Sequence, residues 1–269
     1  MNSFRKKCAE VRRDVIAMAD YAKRGHIAPA FSLVETLVTL YDHILRVRPD
    51  EPDWSDRDRL ILSKGHGCMA LYAVLADKGY FSKEHYKTFC APDGLLAGHP
   101  EEKVPGVEAP SGSLGHGLPI SVGFAVNARL DGSDYRSFVI LGDGECNEGS
   151  NWEAALSAAK NKLDNLCVLV DFNKYMSFGP TAEVCNMEPF ADKWRAFGFA
   201  VREADMVGEP EQLKEILEGL PFEPGKPSAV ICHTIKGQGV PFMENNLAWH
   251  HKSRISAEEL EEIYRHLDV

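Results

Sequence analysis

A doubly wound α/β domain with a mostly parallel sheet flanked by helices is the fold the sequence predicts, and three observations predict it. Short apolar runs at residues 60–62, 137–141, 166–171 and 228–232 read as buried strands. Stretches of helical spacing lie between them, the alternation expected of parallel strands joined by crossover helices. No linker, internal repeat or low-complexity tract divides the 269 residues. At that length one domain can bury a large core, so residues 1–269 are read as a single domain.

Phe4, Cys8, Val11, Val15, Met18 and Ala22 fall three and four residues apart, the spacing of an amphipathic helix that Gly25 then ends. A second helical run, 32–45, leads to a Pro- and Asp-rich segment, 49–58, and the strand 60–62 stops at Ser63-Lys64-Gly65-His66. Helical stretches near 68–79 and 82–90 precede 91–117, which is rich in Gly, Pro and Ser and longer than most connections in compact domains. Long irregular loops of that kind usually bind something. Gly123, Ala125 and Ala128 suit 118–130 to a helix packed close to its neighbours, and strand 137–141 ends at Gly142-Asp143-Gly144. Helix 149–162, strand 166–171, helix 189–197, strand 198–202, helix 209–219, strand 228–232 and a terminal helix 256–267 complete the chain.

Hydrophobic residues make up 44% and charged residues 26%, the balance of an ordinary globular protein. The net charge is −10 and the basic residues are scattered, so no electrostatic footprint for nucleic acid is present. Arg5, Lys6, Lys7, Arg12 and Arg13 lie near the start without an uninterrupted apolar stretch, and no run of about 18 apolar residues occurs, which predicts no membrane association. Seven cysteines, an odd number without a CxxC pair, fit reduced thiols, so the expected location is cytoplasmic.

Ligands of open parallel sheets lie at the carboxyl ends of the strands. Asp143 follows one predicted strand and Asn173 the next, so their oxygens can converge on one ion. Carboxylate and amide oxygens suit a hard cation such as Mg²⁺, which takes its remaining ligands from phosphate oxygens. Gly142 and Gly144 allow close backbone approach, and a following helix N-terminus would present N–H groups to an anion. Alone, Gly-Asp-Gly is also an ordinary tight turn. His26, His66, His99, His116, His250 and His251 sit in Gly-, Pro- or Ser-containing loops rather than on apolar helix faces.

Gly142-Asp143-Gly144, followed 29 positions after its last glycine by Asn173, resembles the thiamine diphosphate motif of the transketolase superfamily. The octapeptide 142–149 is similar to transketolases in particular, as are Gly25-His26, Ser63-Lys64-Gly65-His66, Gly98-His99-Pro100 and Trp249-His250. The resemblance runs over nearly the whole chain. It implies a thiamine diphosphate-binding fold and transfer of a two-carbon ketol unit from a ketose to an aldose, both sugars or sugar phosphates. It makes His26, His99 and His250 the catalytic, substrate-facing residues. It gives His66, Gly112, Ser113, Leu114, Gly144, Asn173, Lys236 and His250 to the cofactor. A Mg²⁺ or Ca²⁺ ion would be held by Asp143, Asn173 and the Tyr175 carbonyl. Glu148 resembles a glutamate at a contact between chains, or is simply an acidic residue near a helix start.

Departures from the family pattern are Pro29 and Ala30 after His26, His116 where glutamine is common, and His251 after His250 where glycine is usual. The proton-relay residue is therefore either His250 or His251. Resembling enzymes place a glutamate for cofactor activation on a separate pyrimidine-binding domain, which this sequence lacks. The expected partner is a C-terminal transketolase subunit, joined to this chain in an α2β2 heterotetramer. A subunit of a 2-oxo acid dehydrogenase or decarboxylase, a sugar-phosphate synthase and a non-catalytic cofactor-binding subunit share parts of the motif and stand as alternatives.

Overall fold

Ile61, Val139, Val168, Ala229 and Val201 pair across five strands in one row, and the next row is Leu62, Ile140, Leu169, Val230 and Arg202. The strands are β1 (Arg59–Leu62), β2 (Ser137–Gly142), β3 (Leu166–Phe172), β4 (Ala200–Asp205) and β5 (Ser228–His233). All pairings are parallel, in the order β1-β2-β3-β5-β4. The structure, a computed structural model, describes residues 3–252 and 254–268.

Ten α-helices wrap the sheet among the described residues: α1 (Ser3–Ala22), α2 (Ile27–Phe31), α3 (Val34–Thr39), α4 (Cys68–Asp77), α5 (Gly117–Leu130), α6 (Gly149–Lys160), α7 (Thr181–Val184), α8 (Phe190–Ala196), α9 (Gln212–Glu218) and α10 (Ala257–Leu267). Successive strand residues point to opposite faces. Phe138, Ile140, Cys167, Leu169 and Val230 therefore pack with α1, α3, α4 and α9, whereas Val139, Leu141, Val168, Val170 and Ile231 pack with α5, α6 and α8. Both faces are covered, which explains why the strands read as continuous apolar runs rather than alternating ones. Ile140 is fully buried between them. Truncating a side chain in such a place costs about 2–5 kcal/mol.

Two local expectations need correction. The helical run 32–45 is not one helix: α2 begins earlier, at Ile27, and α3 passes into a wider π turn at Leu40–Ile44. Pro29 is tolerated in α2 because it falls in the first turn, where the missing N–H has no intrahelical partner. The stretch near 82–90 is a 3-10 turn, Lys83–Thr88, capped by Ser82. The short α7 carried no apolar periodicity and none of its residues is buried. All seven cysteines are unbridged. Among the described residues no helix is long and apolar enough to cross a membrane.

Candidate active site

Because β2, β3 and β5 are neighbours, the residues that leave their carboxyl ends emerge side by side. Asp143 is the first residue after β2, Asn173 the first after β3, and Lys236 the third after β5. They line a cavity of about 340 Å³ together with His26, His66, Gly112, Leu114, Gly144, Tyr175 and His250. A second cavity of about 500 Å³ is lined by His99, Arg24 and Lys103, and it shares His26, His66 and His251 with the first. The structure thus gathers the candidate catalytic, cofactor and metal residues around these two cavities except Ser113, which is exposed and lines neither; His116 and Glu148 likewise line neither. Glu148 and His116 are also exposed.

Asp143 is buried, and its carboxylate accepts hydrogen bonds only from backbone groups: the N–H of Gly144 at 2.7 Å and of Lys174 at 2.6 Å. Burial, aided by the nearby Asp171 carboxylate, pushes its carboxyl up to about 7 against the pull of those two N–H groups. A buried carboxylate so poorly compensated is stabilised by a cation placed beside it. Asn173 turns its amide nitrogen to Asp171 at 3.2 Å, and its oxygen accepts from the Tyr175 N–H at 3.1 Å, with a lone pair left over. An aspartate, an asparagine oxygen and a neighbouring backbone carbonyl are the donor set that Mg²⁺ or Ca²⁺ prefers.

Lys236 is enclosed among the same loops and donates to the Met176 carbonyl at 2.8 Å and to that of Tyr175 at 3.3 Å. Burial lowers its ammonium to about 8, with the charge of Lys64 adding to the effect. Gly237, at φ +82°, makes the turn that aims it, and a Cβ there would lie 2.4 Å from the Met243 carbonyl oxygen. A buried ammonium beside a cation site is a ready partner for a phosphate oxygen.

The histidines arrive from four loops. His26 sits just before α2, His66 in the 3-10 turn Gly65–Gly67 after β1, His99 between Gly98 and Pro100, and His250 after a 3-10 turn anchored by the buried Trp249. Gly112, at φ +148°, lets the loop close on His99, since a Cβ there would stand 3.2 Å from its ring. Ring centroids lie 5.7 Å apart for His26 and His66, 6.1 Å for His26 and His99, and 5.7 Å for His26 and His250. Burial lowers all four, His26 to about 4 and His250 to about 3, with the charges of neighbouring histidines and Lys236 acting in the same direction on those two. They are neutral at neutral pH and offer ring nitrogens to hydroxyl protons. His250 is buried with Nδ1 unpartnered, whereas His251 is exposed.

Sequence reasoning missed the scaffold beneath this set. Glu145 is buried and accepts from the Gly115 N–H at 2.8 Å, the Gly142 N–H at 3.1 Å and the Ser63 hydroxyl, so it ties the long loop to the ends of β1 and β2. Asp171 and Lys64 form a buried ion pair completed by the hydroxyls of Ser32, at 2.7 Å, and Thr234. A charged residue inside the apolar run 166–172 was the available signal for Asp171. α6 begins at Gly149, where the helix is expected, and a 3-10 turn, Gly144–Asn147, fills the gap between it and Gly-Asp-Gly.

Residues 5–268 match the family model described as transketolase, thiamine diphosphate binding domain. The chain is 41% identical to one subunit of the apulose-4-phosphate transketolase of Phocaeicola vulgatus, over 94% of this chain and 90% of that one. It is 40% identical to a 6-deoxy-6-sulfo-D-fructose transketolase subunit of a Clostridium species, over 84% of this chain and 82% of that one. A crystal structure of a Pichia stipitis transketolase mutant in complex with fructose 6-phosphate superposes with a TM-score of 0.93 at 26% identity. That match covers 100% of this chain but 41% of the Pichia chain.

Proposed function

We propose that this chain, which belongs to the transketolase family as its thiamine diphosphate binding domain, is one half of a two-chain, Mg²⁺-dependent transketolase. The reading rests on one observation: a single strand-end cavity joins an undercompensated aspartate and an asparagine to a cluster of neutral histidines. The carbon nucleophile and electron sink needed to break a C–C bond are supplied by thiamine diphosphate when it is bound.

Asp143, the Asn173 oxygen and the Tyr175 carbonyl would hold the ion. Lys236, buried beside them, would face the diphosphate. Gly112, Leu114 and Gly144 would bring backbone against the cofactor, with His66 beside it, and Ser113 would reach it only from the rim of the same loop. His26, His99 and His250 orient the sugar and accept or return protons at its hydroxyls, the work of positioned neutral imidazoles. The relay belongs to His250, which is buried, and not to His251, which lines the same cavity but is exposed.

Two relatives are named as subunits, which supports a partner subunit; in this reading the partner carries the pyrimidine-binding domain and joins this chain in an α2β2 assembly. Their names carry a phosphate and a sulfo group, so anionic sugars are the substrates to try first. Ketol transfer from fructose 6-phosphate to an aldose phosphate should be absent for the chain alone. It should appear on co-purification with a pyrimidine-domain chain, vanish with a chelator and return with Mg²⁺. Turnover by the isolated chain, or use of pyruvate in place of a ketose donor, would overturn the proposal.

A further inference from the structure

We propose that His26, His250 and His251 form a binding site for a borderline-soft transition-metal ion of the Zn²⁺ type, distinct from the oxygen-donor site at Asp143. Their ring nitrogens lie within 4.8 Å of one another, with centroids 4.8 Å apart for His26 and His251 and 4.3 Å for His250 and His251. Zn–N bonds of about 2.0–2.1 Å require the nitrogens to close in by roughly 1–1.5 Å. His251 is exposed, and His26 and His250, whose ring centroids are 5.7 Å apart, must close in as well.

A second observation is independent of this spacing. His250 is only 8% exposed, yet its Nδ1 has no hydrogen-bond partner, a buried polar atom that costs free energy unless something satisfies it. Imidazole sets select Zn²⁺, Cu²⁺ or Ni²⁺, whereas the carboxylate and carbonyl donors around Asp143 select Mg²⁺ or Ca²⁺, so the two sites differ in chemistry. The opposing influence is the charge of Lys236, which is tied back to the Met176 carbonyl. Three imidazoles leave a fourth position open to water. An ion there would engage His26 and His250 and exclude substrate.

The test needs no catalysis, so it stands or falls apart from the transketolase reading. Zn²⁺ is titrated calorimetrically into the full chain, and Co²⁺ is followed by visible absorption, both in excess Mg²⁺ to fill the oxygen site. The wild-type chain should bind one Zn²⁺ and give the intense bands of four-coordinate Co²⁺. Loss of an outer partner alone weakens metal sites about 10–100-fold. His251→Gly, an exposed position, should therefore lower Zn²⁺ affinity by at least about 100-fold with unchanged circular dichroism. No binding, a pale six-coordinate Co²⁺ spectrum, or equal affinity in His251→Gly would overturn the proposal.

Discussion

Two buried aspartates stand at opposite ends of the same sheet and are treated in opposite ways. Asp58, at the amino end of β1, accepts from the backbone N–H groups of Arg46 at 3.0 Å and Arg136 at 2.8 Å and from both guanidinium groups. Burial pushes its carboxyl up, but the hydrogen bonds and charge of Arg136 and the two N–H groups outweigh it, so it stays below the usual carboxylate range. Asp143, at the carboxyl end of β2, has two N–H donors, no guanidinium, and a carboxyl raised to about 7 by burial and Asp171. A carboxylate that the fold has already neutralised is structural, and one left short of positive charge at a strand end is a place for a cation.

That contrast predicts separable effects. Asp143→Ala should abolish Mg²⁺-dependent thiamine diphosphate binding while thermal unfolding of the metal-free chain stays unchanged or rises, because a strained carboxylate is removed. His26→Ala, at the same end of the sheet, should lower ketol transfer by the partnered enzyme about 10²–10⁴-fold, with cofactor affinity measured in parallel and retained. At the other end, Asp58→Asn should leave cofactor binding intact and cost about 2–3 kcal/mol in denaturant unfolding. This is less than the about 3–5 kcal/mol of a fully buried pair, because both arginines reach solvent.

The smallest effect is the pH dependence of that last difference. Unfolded aspartate titrates near about 3.9, and the folded Asp58 lies lower. Its stabilisation is therefore complete above that pH and is lost as pH falls through the folded value. The stability gap between the wild-type chain and Asp58→Asn should shrink below about pH 4, and a constant gap would mean that Asp58 acts through uncharged hydrogen bonds.

The carboxyl end of the sheet was the more legible of the two. Asp143 and Asn173 could be placed together from sequence because each follows an apolar run, and parallel strands bring their carboxyl ends to one edge. The histidine loops were legible because histidine among Gly, Pro and Ser departs from core packing. The Asp171–Lys64 pair was not, because its partners are 107 residues apart and their meeting depends on strand order. Asp58 was hidden for the same reason, since Arg136 lies 78 residues away. The break between α2, α3 and the π turn escaped because buried residues fill nearly every side of that segment and leave no periodicity to read. Ser113 was named by resemblance, and it is exposed.

Calorimetric titration of thiamine diphosphate into the full wild-type and Asp143→Ala chains, with and without Mg²⁺, bears most directly on the central claim that a divalent ion at Asp143 anchors the cofactor. Binding heat should appear only for the wild-type chain and only when Mg²⁺ is present. Equal affinity in the two chains, or binding indifferent to Mg²⁺, would contradict it.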